Sequence, residues 1–314
     1  MKKVLLVNPW IYDFSAYDFG IKPVGLLRIG QFLRTKGARV DLVDCLQGCA
    51  RRKDEYGFSK IRKEKVEKPD MLKTIERPYF RYGISIPEFM EKISALSEID
   101  EIYVASGMTY WYPGAHLAIR LLKERFKNTP VILGGVYATI CHKHARLTSN
   151  ADIVWKGNFL DKECFYQSGF YPAYDLLADK EILPIQLTAG CPFRCTYCAS
   201  RMFEPRFEMK DPVSLFEEVM HYTRVFGTKS FVFYDDALLY RSAEGIKRFL
   251  RLVIASGMQF TFHTPNGLHA RRNASAVCRA RSFPLCQTAA GTKPRAFTRS
   301  ASRAACSRPG VERG

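Results

Sequence analysis

The chain has 314 residues, a length that suggests two domains, each able to bury its own core. Apolar residues make up 47% and charged residues 25%, values ordinary for a soluble globular protein, and no run of about 18 apolar residues is present that could span a bilayer. The net charge of +17 is unevenly spread, because residues 272–314 alone hold eight Arg and one Lys against one Glu, so it does not mark a nucleic-acid surface on the folded part.

The N-terminus, Met1-Lys2-Lys3-Val4-Leu5-Leu6-Val7-Asn8-Pro9, is too short in its apolar run for a signal peptide and has no small-residue cleavage site, so it reads as a buried parallel strand of a cytoplasmic protein. Pro23 to Leu33 reads as a helix, with Pro23 in its first turn, Leu26, Ile29 and Leu33 on one face, and Gly37 as a stop. Ala38–Asp44 is a second strand. The mixed-charge insertion over 51–68 is expected to be a solvated loop or helix. Ile86–Leu96 is helical, Ile102–Gly107 a strand, Ala115–Phe126 an amphipathic helix, Val131–Gly135 a strand and Ile153–Gly157 another. This alternation predicts an α/β fold whose first part, residues 1–160, is a doubly wound parallel, flavodoxin-like sheet. Such sheets bind ligands beyond the C-terminal ends of their strands, here Asn8-Pro9, Gly107-Met108-Thr109 and Gly134-Gly135-Val136-Tyr137.

Residues 161–182, with Gly169 and Pro172, read as a linker. The alternation then resumes with strand Leu183–Leu187, helix Pro212–Phe226, strand Ser230–Tyr234, helix Ala243–Ala255 and strand Phe260–His263, the start of a βα barrel over 183–271. From residue 272 the chain turns to Ala, Arg, Ser and Pro and is expected to form a disordered basic tail. A natural tail and out-of-frame translation beginning near Arg271 or Arg272 are both open accounts of it.

Ten cysteines in a long chain without an export signal, three of them within eight residues, point to metal binding rather than disulfides. In Leu187-Thr188-Ala189-Gly190-Cys191-Pro192-Phe193-Arg194-Cys195-Thr196-Tyr197-Cys198, three thiolates at spacings of four and three can converge on three irons of a cubane and leave the fourth without a protein ligand. An open iron is a catalytic feature, whereas closed sites are structural. A partial zinc site and buried free thiols are the alternatives.

The C-x3-C-x2-C spacing, with a Gly before the first cysteine and an aromatic before the last, resembles the signature of the radical S-adenosylmethionine (radical SAM) superfamily. The resemblance implies a [4Fe-4S] cluster on Cys191, Cys195 and Cys198, S-adenosyl-L-methionine chelated to the open iron, reductive cleavage to a 5′-deoxyadenosyl radical, and an electron donor such as flavodoxin or ferredoxin. By position it implies that Tyr197 packs near the adenine, and that Tyr234, Asp235 and Asp236, which stand where many members carry Gly-Gly-Glu, contact the S-adenosylmethionine. Capping of the following helix is the other role open to Asp236. His263 and Asn266, at the end of the third barrel strand, are candidates for a substrate pocket.

Residues 1–160 resemble the cobalamin (vitamin B12)-binding domain that precedes the barrel in one branch of this superfamily, most clearly in Val131-Ile132-Leu133-Gly134-Gly135-Val136-Tyr137-Ala138-Thr139. That likeness implies Asn8, Met108, Thr109, Gly134, Gly135 and Tyr137 as cobalamin-binding residues. The Asp-x-His-x-x-Gly motif that gives cobalt a histidine elsewhere is absent, and the fold without the cofactor is the alternative. His116, His142 and His144 are read as surface or packing residues. The family barrel has about six strand–helix units, of which two and a half precede the break in composition. An enzyme performing cobalamin-dependent methyl transfer on an unknown small-molecule or other substrate, a catalytically silent cluster- or cobalamin-binding product, and a tRNA-modifying relative are the three functional readings. Nucleic acid and membrane partners are not expected.

Overall fold

The run Val4-Leu5-Leu6-Val7 is fully buried on both of its faces, as a central parallel strand requires. The computed structural model describes residues 1–18, 20–47, 50–53, 59–160, 169–203 and 207–266. In chain order the first elements are β1 (Lys3–Asn8), β2 (Ile11–Asp13), β3 (Tyr17–Asp18), α1 (Val24–Thr35), β4 (Arg39–Asp44), β5 (Ala50–Lys53), β6 (Ser59–Ile61), β7 (Lys63–Val66), β8 (Tyr79–Tyr82), α2 (Ile86–Ser94) and β9 (Glu101–Val104). They continue with α3 (Tyr112–Arg125), β10 (Val131–Leu133), α4 (Val136–Ile140), α5 (His142–Thr148) and β11 (Ile153–Val154). The main sheet runs β11-β10-β9-β1-β4, every neighbouring pair parallel. Numbered by their order in the chain, its strands follow the flavodoxin-like order.

Alternation along β1 divides the core. Leu5 and Val7 pack with Phe89 and Ile93 of α2 and Ala118 and Leu122 of α3, while Val4 and Leu6 pack with Leu26 and Leu33 of α1. Helices therefore cover both faces. The start of α2 is set by a capping box, in which the Glu88 N–H donates to Ser85 Oγ at 3.3 Å and the Ser85 N–H to Glu88 Oε2 at 2.7 Å. Helix α3 begins at Tyr112, ahead of the expected Ala115, because Pro113 fits a first helical turn. The strand expected over Val131–Gly135 ends at Leu133, because the chain turns at Gly134-Gly135 into α4.

The insertion over 51–68 is corrected. Rather than a solvated loop or helix, it contributes β5 and β6 to a sheet β3-β6-β5 and β7 to a sheet β2-β8-β7, both antiparallel. The alternating charges of Lys63-Glu64-Lys65-Val66 find cross-strand partners: Glu64 pairs with Arg81, and Lys63 lies over the Phe80 ring at 3.8 Å.

The second half holds β12 (Ile182–Ile185), β13 (Thr188–Ala189), α6 (Ser200–Phe203), β14 (Glu208–Met209), α7 (Pro212–Phe226), β15 (Ser230–Phe233), α8 (Ala243–Ala255) and β16 (Thr261–His263). Strands β12, β15 and β16 form a parallel sheet in that order, and its core gathers Leu183, Ile185, Leu215, Val219, Phe231 and Phe249. Helix α7 starts where Asp211 accepts from the Ser214 N–H and ends at Gly227 in the left-handed region. Leu27 of α1 belongs to this core although Leu26 faces the main sheet, so one helix serves both sheets. The described residues all fall in one compact unit. The second unit, 285–314, holds no described residue, and the tail expected over 272–314 falls outside the described residues, as do Gly267 to Arg271. Among the described residues no helix is long and apolar enough to cross a membrane.

Candidate functional site

The cysteine loop is fastened at both ends. At its start Asp235, 2% exposed at the end of β15, accepts hydrogen bonds from the N–H groups of Leu187 and Thr188 and from Thr188 Oγ1 at 2.7 Å. Burial pushes its carboxyl up to about 6 against the lowering effect of those donors. At the far end β14 pairs with β13, the Lys210 N–H donates to the Leu187 carbonyl at 2.8 Å, and the Lys210 ammonium meets Glu218 of α7. Between these anchors Phe193 packs edge-on against Tyr240 at 5.3 Å.

Cys191 is partly buried and Cys195 and Cys198 are exposed, all three as free thiols, with the Cys198 N–H closing a turn onto the Cys195 carbonyl at 3.1 Å. Burial pushes the Cys191 thiol up; the Phe193 N–H opposes this and the Asp236 carboxylate adds to it. Asp236 is exposed and hydrogen-bonded to Ser200, so it stands beside the loop. Among the described residues no group of three or more His, Cys, Asp or Glu side chains is gathered for a metal. The thiols thus share one accessible loop without being drawn together. Their number, their free state and their softness suit an iron–sulfur cluster.

The other expected residues separate. Tyr197 is 91% exposed. Tyr234 faces the N-terminal segment rather than the loop: its hydroxyl donates to the Gly20 carbonyl at 2.8 Å and accepts from the Lys22 N–H at 2.9 Å. Asp236 does not cap α8, whose N-cap position is Ser242. His263 is 3% exposed and its Nε2 meets Ser230 Oγ at 3.2 Å. Asn266 donates to the Asp235 carbonyl at 3.3 Å.

A cavity of about 400 Å³ opens at the C-terminal ends of β1, β9 and β10, where open parallel sheets place their ligands. Of the strand-end residues expected there, Asn8, Pro9, Gly107, Gly134, Gly135 and Val136 line it. Gly134 faces open space, whereas a Cβ on Gly135, at φ +97°, would stand 2.5 Å from the Ser106 carbonyl oxygen. Met108 and Thr109 do not line the cavity. Tyr137 is buried behind it, its hydroxyl 3.0 Å from His116 Nε2 and 2.7 Å from His144 Nδ1. His116 and His144 are thereby joined in one cluster, and His142 Nδ1 meets the Ala138 carbonyl at 3.1 Å.

Sequence reasoning missed most of the wall: Trp10, Trp111, Trp155 and Phe159, the start of α1 with Lys22 and Arg28, and Gln186 and Ala189 from the segment that follows β12. Ala189 lies just before Gly190-Cys191, so the approach to the cysteine loop is also a wall of the cavity. The one available signal was Lys22-Pro23 ahead of a helix facing the strand ends.

Residues 185–284 match the family model described as the radical SAM superfamily. No curated protein matches the chain. Two solved structures of TsrM, a radical S-adenosylmethionine methyltransferase from Kitasatospora setae, are similar to it, one with tryptophan substrate and the SAM analog aza-SAM bound, the other with cobalamin and a [4Fe-4S] cluster. In each case the identity is 13%, the TM-score 0.47, and the match covers 82% of this chain and 51% of the other. The chain thus spans about half the length of that protein.

Proposed function

We propose that the chain, with its radical SAM segment at residues 185–284, is an S-adenosylmethionine-cleaving iron–sulfur protein that also binds cobalamin and transfers a methyl group. We take residues 1–160 as its cobalamin-binding part, 161–182 as a linker and 183–271 as its barrel part. The observation that carries the reading is the shared wall: the segment leading into the cysteine loop lines the same cavity as the ends of the parallel sheet.

Cys191, Cys195 and Cys198 would hold a [4Fe-4S] cluster, which supplies, when bound, the electron for reductive cleavage of the sulfonium to methionine and a 5′-deoxyadenosyl radical. Asp235 acts at one remove by fixing the backbone from which the loop departs. Asp236 offers an exposed carboxylate beside the loop, able to accept from the ammonium of the methionyl group. Tyr197 offers an aromatic face for the adenine. Trp10, Trp111 and Phe159 give the cavity an apolar wall that excludes water, and open space at Gly134 lets backbone approach a flat ring system. No histidine is among the described residues that line it, so none of these offers cobalt an imidazole. Electrons would come from a flavodoxin or ferredoxin, and an oxygen-sensitive site of this kind suits the cytoplasm.

The test is anaerobic reconstitution with iron, sulfide and hydroxocobalamin, followed by metal analysis and assay of 5′-deoxyadenosine under reduction. About four iron atoms per chain are expected in the native protein and none in a variant with all three cysteines changed to alanine. Zinc or no metal at the loop overturns the reading. Cluster without cleavage of S-adenosylmethionine would leave a binding protein.

A further inference from the structure

Reductive cleavage of a sulfonium takes an electron from the cluster, and that electron has to enter through the surface next to the cysteine loop. Cys195 and Cys198 are exposed, and Cys198 Sγ donates at 3.3 Å to Ser200 Oγ, the first residue of α6. The exposed Arg201 and Met202 follow directly in that helix. At its other end the Phe203 carbonyl accepts from Asn158 Nδ2 at 3.4 Å, which brings the segment after β11, with the exposed Lys156, beside α6.

This surface carries one sign of charge. The stretches 155–160 and 191–203 hold Lys156, Arg194 and Arg201 and no Asp or Glu. None of the three cations forms an ion pair with a described residue, and Asp236, the exposed acid beside the loop, is hydrogen-bonded to Ser200. Exposed cations do little for stability, but next to a site they attract and orient an oppositely charged partner. Arginine and methionine are also residue types enriched where proteins meet. Three cations are too few for a nucleic-acid backbone, which calls for a longer basic track.

We propose that Lys156, Arg201 and Met202 form the docking face for an acidic one-electron carrier protein, which reduces the cluster held by the neighbouring cysteines. The inference rests on the radical SAM reading and adds to it the place where the electron enters. At this contact the reduced group of the carrier loses one electron and the oxidised cluster gains it; the transfer itself makes and breaks no bond. Opposite charges speed the encounter and lose their effect as salt is raised, while Met202 supplies an apolar contact.

The experiment uses the full chain, reconstituted anaerobically, with flavodoxin as the acidic carrier. Two quantities are read: equilibrium binding of flavodoxin, and the rate of cluster reduction by flavodoxin hydroquinone or, in parallel, by reduced methyl viologen, a small cation that needs no docking face. Lys156→Glu/Arg201→Glu should weaken binding and slow flavodoxin-driven reduction by about tenfold or more at low salt, with viologen-driven reduction unchanged. Lys156→Arg/Arg201→Lys should behave as the native chain, and added salt should bring the native chain down toward the charge-reversed variant. Arg201→Gln alone should lose less in the same direction, which keeps the test in hand if the double reversal does not fold. Equal flavodoxin binding and rates in native and reversed chains, or equal slowing by both reductants, overturns the docking face and leaves the radical SAM reading standing. A native chain that dimerises at low salt, becomes monomeric on charge reversal and keeps its flavodoxin rates would give this face to a second copy and overturn the proposal. A chain that takes up no iron overturns both.

Discussion

The Lys210 ammonium lies 2.6 Å from the Glu218 carboxylate with both side chains 5% exposed, so a buried ion pair ties the return strand of the cysteine loop to α7. Tyr222 donates to the second oxygen of Glu218 at 3.0 Å. Removing one partner leaves the other charge stranded in the interior, which costs about 3–5 kcal/mol. Lys210→Met should therefore lower stability by that order in urea unfolding. The double variant Lys210→Met/Glu218→Leu should recover most of the loss, since replacing a buried pair by apolar groups is often near neutral. A double variant no better than the single one would contradict this account.

Asp235 gives the loop's other anchor a pH dependence. Its carboxyl is raised from 3.8 to about 6 by burial, so between these values the unfolded chain releases its proton while the folded chain retains it. Stability from this group is therefore complete below pH 3.8 and is lost as pH rises through about 6, with a slope of up to about 1.4 kcal/mol per pH unit. Asp235→Asn cannot ionise and should remove that slope while weakening the anchor on Leu187 and Thr188. Denaturant unfolding of both proteins between pH 4 and 7 reads the difference directly, and parallel curves would sink the assignment.

What could be read from the sequence follows from how local each signal is. Pro212–Phe226 and Ala243–Ala255 are found where they were expected because apolar periodicity and the punctuation by Pro212, Gly227 and Gly257 lie within the segments themselves. Asn8, Gly134 and Gly135 could be placed at the cavity because strand ends in a parallel sheet share one rim. The insertion could not be read: Glu64 and Lys63 look like solvated charges until β7 is paired with β8 and Arg81 and Phe80 arrive beside them. Lys22 was invisible for the same reason. Its backbone N–H donates to the Tyr234 hydroxyl across more than two hundred residues of chain.

The cluster around Tyr137 should make the edge of the main sheet acid-sensitive. Burial, with His144 adding to it, pulls His116 down to about 4, so as pH falls from 6.5 the unfolded chain takes up a proton that the folded chain refuses. Stability from this group is present above pH 6.5 and is lost as pH falls toward 4. Titration of the His116 ring protons by NMR should give a midpoint well below that of a free imidazole. His116→Leu should flatten the acid limb of the stability curve, and a midpoint near 6.5 in the native protein would show that the ring is not desolvated as described.

The two neighbouring glycines of the β10–α4 turn should respond in opposite ways to the same substitution. Gly135 sits at φ +97° with a Cβ position 2.5 Å from the backbone oxygen of Ser106, an atom that cannot swing aside, because the Val136 N–H donates to it at 2.8 Å. Gly135→Ala therefore combines backbone strain with a steric clash and should cost about 2–4 kcal/mol, measured as a lowered unfolding midpoint. Gly134 lines the cavity and a Cβ there meets nothing within 4 Å, so Gly134→Ala should leave the midpoint within about 0.5 kcal/mol of the native value. Its methyl group would instead project into the cavity and, on the proposed function, weaken hydroxocobalamin binding. Loss of stability without loss of binding at Gly134, or the reverse at Gly135, would mean that the backbone of this turn, rather than its open face, is what meets the cavity.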